Sequence, residues 1–240
     1  MDDKMYLLVD GDTIAFRAAI TNEKMADAIT HMEDSINWLR LRLGEPRMEF
    51  FLTGDENFRY DVYPAYKGNR KPDSKPPQLA ALKQYLKDHY MALEIPGLEA
   101  DDLQGIESYP EEGIQKVVVS VDKDLRQIAG SLFNPGHPEL GIQTITQDAA
   151  DIWFYTQWMT GDTTDGYSGI PGVGPKKAEA VIKEWLKDNP IDTLHIPILQ
   201  MYADRLLPVE YAMSQARCAR ILRPGEYDKI AKKVALWSPS

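Results

Sequence analysis

Met5-Tyr-Leu-Leu-Val9-Asp10 is an apolar run closed by a carboxylate, and the pattern returns twice further along the chain. Phe50-Phe-Leu52 leads within a few residues to Asp55, and Lys116-Val-Val-Val-Ser-Val121 ends at Asp122, with Asp124 beyond it. Short runs of β-branched or aromatic residues between polar and turn residues read as buried strands. Between the first two, Met25, Ala28, Ile29, Met32, Ile36, Leu39 and Leu43 recur at helical spacing, and Gly44 and Pro46 end that helix. Residues 77–90 and 100–109 read as further helices, the former with Leu79, Leu82 and Leu86 on one face. Strands alternating with helices predict an α/β domain whose mainly parallel sheet is covered on both sides.

After about Gln147 the strand signals stop. Ile152 to Met159 reads as a helix, followed by a Gly-rich turn, a helix over Lys176–Leu186, and helical stretches near 208–222 and 225–236. The expected division is an α/β part over 1–150 and a helical part over 151–240. The chain has 240 residues, enough to bury a real core, and 43% of them are hydrophobic. No apolar run approaches the roughly 20 residues of a membrane helix, and no signal peptide is visible, so a cytoplasmic protein is expected. Cys218 is alone, which excludes internal disulfides and cysteine-rich zinc sites.

The net charge of −10 speaks at first against a phosphate-binding protein. The placement of the acids reverses that reading. Asp10, Asp55, Asp122 and Asp124 follow strands, and in open parallel sheets the functional crevice lies at the carboxyl ends of strands. Glu99-Ala-Asp101-Asp102 opens a helix, and Asp162 and Asp165 precede the Gly-rich turn. Any one such acid is ordinarily a turn residue or a cap. Five segments converging on one edge would repel one another unless cations neutralised them. Oxygen-only ligands suit Mg²⁺ or Mn²⁺ rather than zinc, and the four histidines show no metal-ligand spacing. Two such cations would activate a water and stabilise the leaving oxygen of a phosphodiester.

Two further segments bear on nucleic acid. In Gly169-Ile-Pro-Gly172-Val-Gly174-Pro175-Lys176-Lys177, Gly172 and Gly174 let the backbone approach a ligand, and Pro175 suits the first helical position. Lys176 and Lys177 in a first helical turn make sense if an anion docks on its free N–H groups. Tyr63-Pro-Ala-Tyr66-Lys67-Gly-Asn-Arg70-Lys71 opens a basic island in an acidic chain. A solvated loop accounts for it on composition alone, while aromatics among basic residues also suit stacking on an unpaired base and clamping its phosphates.

Together these segments resemble the flap endonuclease and 5′→3′ exonuclease family, which includes stand-alone bacteriophage enzymes and the N-terminal nuclease domain of bacterial DNA polymerase I. The motifs are Leu8-Val-Asp10-Gly, Tyr66-Lys67-Gly-Asn-Arg70, Glu99-Ala-Asp101-Asp102, Val121-Asp122-Lys-Asp124-Leu, and Thr160-Gly-Asp162-Thr-Thr-Asp165 running into Gly169–Lys177. They stand in family order over residues 5–190. The resemblance implies a PIN-like α/β nuclease domain with a C-terminal helix-three-turn-helix, a helix–hairpin–helix element, over 162–187. It implies Asp10, Asp55, Glu99, Asp101 and Asp102 as ligands of a first metal and Asp122, Asp124, Asp162 and Asp165 as ligands of a second. Lys67 and Arg70 match the pair that steers the scissile phosphate, Tyr66 a residue that stacks on the terminal base, and Lys71 a further DNA contact. Gly172, Gly174, Lys176 and Lys177 match the duplex grip, with K⁺ on the carbonyls of Ile170 and Val173. The segment 67–98 matches the arch that relatives thread with a 5′ single strand, but it is short and Pro72, Pro76 and Pro77 crowd its start.

The expected activity is two-metal 5′→3′ exodeoxyribonuclease action, with flap endonuclease and RNase H action as extensions. The expected partner is DNA with a 5′ end, as duplex, flap or nick, or an RNA–DNA hybrid, bound by a monomer away from membranes. The competing readings are an inactive structure-specific DNA-binding module and a PIN-type RNA nuclease.

Overall fold

The computed structural model describes residues 4–70 and 75–239. In chain order the elements are β1 (Lys4–Asp10), α1 (Gly11–Thr21), α2 (Met25–Arg42), β2 (Arg47–Asn57), α3 (Phe58–Val62), α4 (Leu79–Tyr90), β3 (Leu93–Gly97) and α5 (Ala100–Glu107). There follow β4 (Ile114–Val119), β5 (Gly130–Phe133), β6 (Ile142–Ile145), α6 (Gln147–Thr160), α7 (Pro175–Trp185), α8 (His195–Ala203), α9 (Val209–Ala219), β7 (Tyr227–Asp228) and β8 (Lys233–Val234). Among the described residues β1 to β6 form a six-stranded sheet in the order β3-β2-β1-β4-β5-β6, parallel except for the β5–β6 pair.

The apolar runs are buried on both sides, and their alternation assigns each residue to a layer. Leu7, Val9, Phe50, Leu52, Val117 and Val119 face a cluster closed by α1, α2 and α4. Leu8, Phe51 and Val118 face the opposite cluster, which α5 shares with Ile221 and Leu222 from the end of the chain. Successive strand side chains point to opposite faces, so a run without polar interruption is what a sheet covered on both sides requires. A third cluster, around Trp158, joins α6 to α9 and includes Tyr66.

The chain leaves β1 towards β2 and later returns to β4 on the other side of β1. The two strands therefore part at their carboxyl ends, where parallel sheets form their functional crevice. Gln104 of α5, fully buried, spans that parting by donating to the carbonyls of Leu8 (2.7 Å) and Val119 (3.3 Å). Gly11 is needed directly after Asp10 because a Cβ there would lie 2.9 Å from the Phe51 carbonyl oxygen.

Four expectations are corrected. The β1–β2 connection contains two helices, since α1 buries only Gly11, Ala15, Ala18 and Ala19, small residues that leave no large-apolar periodicity to read. Most of the expected arch segment is core: α4 buries Leu82 and Leu86, and β3 pairs with β2, so most of 79–98 belongs to the α/β body. The stretch 225–236 is a hairpin of β7 and β8, because the left-handed Gly225 and Lys232 (φ 87° and 53°) turn the chain where a helix would continue. The sheet holds three strands beyond the three apolar runs, β3, β5 and β6, each only four or five residues long.

Candidate active site

Asp10 ends β1 and caps α1, accepting from the Thr13 N–H at 2.9 Å and the Thr13 hydroxyl at 2.5 Å. Burial pushes its carboxyl up to about 6, opposed by the Thr13 bonds and helped by the charges of Asp12 and Asp122. Asp12, two residues on, is held by the Thr53 N–H at 2.9 Å and by Lys83 at 2.9 Å. Beyond β4 the Ser120 hydroxyl accepts from the Asp122 N–H at 3.1 Å, and Asp122 accepts from the Asp124 N–H at 2.8 Å. This tight turn aims Asp124 inwards. Its Oδ1 is buried without a hydrogen-bond partner, and burial, with the nearby charge of Asp122, raises its carboxyl to about 7.

The segment opening α5 is organised differently. Glu99, Asp101 and Asp102 bring carboxylate oxygens within 4.8 Å of one another, the one such group among the described residues. Arg59, 1% exposed, grips Asp102 with both Nη atoms (2.7 and 2.8 Å) and reaches Glu99 at 3.3 Å. It donates further to the carbonyls of Cys218 (3.2 Å) and Arg220 (2.6 Å). Asp102 also accepts from the Leu222 N–H (3.1 Å) and the Glu99 N–H (3.2 Å), so four donors occupy its two oxygens. Asp102 therefore braces the site, and Glu99 and Asp101 remain to face a cation. Burial would raise Glu99, but the Arg59 and Lys67 charges outweigh it and hold the carboxyl near 2. Asp101 lies well above the usual carboxylate range through burial and the Asp102 and Glu99 charges.

Lys67 joins this group to the loop after α6. Its ammonium donates to Glu99 and stands 3.7 Å from Asp165, and burial, which would lower it, is outweighed by those charges. Arg70 pairs with Asp165 at 2.7 Å, and the Lys67 N–H donates to the Asp165 carbonyl at 2.7 Å. Asp162 receives the Thr164 and Asp165 N–H groups (2.7 and 3.2 Å) and has Lys123 at 3.6 Å. Asp162 and Tyr167 pair back to back, which requires Gly161 and Gly169 to touch: a Cβ on Gly169 would lie 2.4 Å from the Gly161 nitrogen. Gln215, fully buried on α9, receives the N–H groups of Ser168 (2.9 Å) and Gly169 (3.1 Å) and fixes the loop from behind.

The family model described as the 5′-3′ exonuclease N-terminal resolvase-like domain matches residues 5–148. The exodeoxyribonuclease of Enterobacteria phage T3 is 33% identical, with 99% of this chain and 94% of the relative covered. The exonuclease of Escherichia phage T7 is 33% identical over 99% of this chain and 95% of its own length. This chain belongs to the 5′→3′ exonuclease family. Among solved structures, the T5 D15 protein co-crystallised with metal ions superposes with a TM-score of 0.60 at 20% identity, covering 89% of this chain and 88% of that one. The zinc-bound T5 5′-exonuclease gives the same TM-score of 0.60 at 19% identity, over 90% of this chain and 93% of its own. These likenesses support the mainly parallel fold.

Within this 5′→3′ exonuclease fold, Tyr66 is corrected. Its ring is 2% exposed and its hydroxyl donates to Glu99 (2.9 Å) and Asp165 (3.0 Å), which leaves no face for a base. Asp55 lies exposed within β2 rather than beyond it, without a hydrogen bond or ion pair among the described residues. Lys71 lies outside the described residues. Gly172, Gly174, Lys176 and Lys177 are exposed at the start of α7, while Ile170 and Val173 are buried beneath them. Sequence reading missed Arg59, Gln104 and Gln215. Each is buried against partners distant along the chain, and nothing local says that it is buried.

Proposed function

We propose that this chain is a divalent-metal-dependent 5′→3′ exodeoxyribonuclease acting at the 5′ ends of duplex DNA. The observation that carries the reading is the union at one sheet edge of under-neutralised acids and two cations already paired to carboxylates. The donor set is oxygen only, and the buried, unpartnered Asp124 Oδ1 is what a hard cation would fill. We assign Asp10, Asp55, Glu99 and Asp101 to a first Mg²⁺ and Asp122, Asp124, Asp162 and Asp165 to a second, with Mn²⁺ as a substitute. When bound, the metals supply an activated water and stabilise the leaving oxygen. Lys67 and Arg70 hold the phosphodiester by charge-assisted hydrogen bonds. Tyr66 and Arg59 keep Glu99 oriented, and the capping bonds of Thr13 orient Asp10.

The α/β part over 1–150 carries the chemistry in this proposal, and the helical part over 151–240 grips the duplex. The turn Gly172–Gly174 with Lys176 and Lys177 supplies N–H groups and charge to phosphates. The Ile170 carbonyl accepts from the Val173 N–H at 3.0 Å and keeps one lone pair, enough for it to join Val173 around K⁺. Digestion of 5′-labelled duplex DNA with Mg²⁺ should release label progressively, stop with chelator and resume with Mn²⁺. Label-independent degradation of single-stranded RNA, with duplex DNA intact, would refute the assignment.

A further inference from the structure

A cleft beside Asp10 is not used by that mechanism. It is a cavity of about 480 Å³ between α1 and α2, in the crevice where β1 and β4 part. Pockets that enclose small molecules measure roughly 300–1,000 Å³. Its walls are two helix faces at regular spacing. Arg17 and Thr21 follow Asp10 along one face of α1, and His31, Ser35 and Trp38 follow one another along α2. Two helices packed on a sheet ordinarily meet through apolar residues, and α2 does present such a stripe, Ala28, Met32, Ile36 and Leu39, to the core. The neighbouring stripe is polar and aromatic, and it borders a void rather than another helix.

The chemistry of that wall is specific. Arg17 is exposed at the mouth and has no carboxylate partner among the described residues. Trp38 rests beside Phe133 (ring centroids 6.3 Å apart) and stays 41% exposed towards the cavity. His31 Nδ1 sits 2.9 Å from the Thr21 hydroxyl, which joins the two walls. The Arg17 guanidinium suits a phosphate, which Asp10 and Asp34 would meet only through a bound cation; a tryptophan face suits a nucleobase, and the intervening hydroxyls suit a sugar.

We infer that this cavity is a product subsite that holds a deoxyribonucleoside 5′-monophosphate, its phosphate towards Arg17 and Asp10 and its base against Trp38. The inference rests on the exonuclease reading, since such a nucleotide is what 5′→3′ hydrolysis releases one residue at a time. Product lodged there would slow the next turnover, so exonuclease action should be inhibited by its own mononucleotides.

The test titrates the full chain with deoxyadenosine 5′-monophosphate in Mg²⁺ and follows tryptophan fluorescence. Saturable quenching is expected in the wild type, at least tenfold weaker binding in Arg17→Gln, and no quench in Trp38→Phe. Deoxyadenosine without its phosphate should bind less tightly than the nucleotide. A quench that survives in Trp38→Phe, or no quench at millimolar nucleotide, would overturn the subsite. Circular dichroism of both variants separates binding loss from unfolding, and because both positions are exposed they should fold. Progressive digestion of 5′-labelled DNA with no nucleotide binding removes the subsite and leaves the nuclease reading standing. Saturable binding without digestion in Mg²⁺ or Mn²⁺ retains a nucleotide site and removes the nuclease reading.

Discussion

The two acidic corners of this site solve the same electrostatic problem in opposite ways. At the start of α5, the protein neutralises Glu99 and Asp102 itself: Arg59 is buried and Lys67 half-buried against them, and every Asp102 oxygen is filled. Across the crevice, Asp10 and Asp124 have hydrogen bonds or burial but no buried cation among the described residues, and burial raises both carboxyls. Asp102 is satisfied by folding alone. Asp10 and Asp124, like Asp101, are left for a ligand to complete, as expected where a cation must enter and oxygen ligands must stay free.

The largest test of this contrast is Arg59→Met. Removing one partner of a buried ion pair strands the other, at a cost of about 3–5 kcal/mol. The urea midpoint should fall accordingly with metal present or absent, and a shift too small to resolve would deny Arg59 its bracing role. Asp124→Asn should do the reverse. Cleavage of duplex DNA should drop about 10²–10³-fold, the cost of removing one preorganised electrostatic group. Metal-free stability should hold or rise, because an unpaired buried carboxylate has been neutralised. A variant cutting at the wild-type rate would remove Asp124 from the metal site.

Asp10 and Asp124 should respond to pH with the opposite slope to Glu99. Asp10 and Asp124 have folded values of about 6 and about 7, above the ordinary 3.8. Their contribution is present in acid and lost as pH rises through that range. Glu99, held near 2 against an ordinary 4.5, contributes stability that is present above 4.5 and lost as pH falls towards 2. Thermal melts should therefore show Mg²⁺ raising Tm more at pH 8 than at pH 5.5. Equal metal shifts at both pH values would contradict the assignment of the free corner. The smallest effect is expected far from both corners. Lys176→Ala with Lys177→Ala should weaken duplex binding and reduce the salt slope by about 1 per lysine, with the metal-dependent Tm shift unaltered.

The strands carrying Asp10 and Asp122, the helix opening at Glu99 and the turn before α7 were legible because each signal is local. An apolar run that ends in an acid, or a Gly-Pro step before a helix, is written within a few residues. Helix α1 escaped because its buried face is alanine and glycine. The supposed arch shrank because Leu79, Leu82 and Leu86 find the core across the sheet, a partnership that periodicity suggests but cannot locate.

The sequence by itself determined that Asp10 and Asp122 stand directly after their strands, since strand direction and the turn after each strand follow from neighbouring residues. Tertiary structure decided which carboxylates are free. Arg59 meets Asp102 across 43 residues, Leu222 reaches Asp102 across 120, and Tyr66 turns its hydroxyl on Asp165 across 99 instead of offering its ring to DNA. Charge neutralisation depends on distance in space and on burial, and neither is encoded in spacing along the chain.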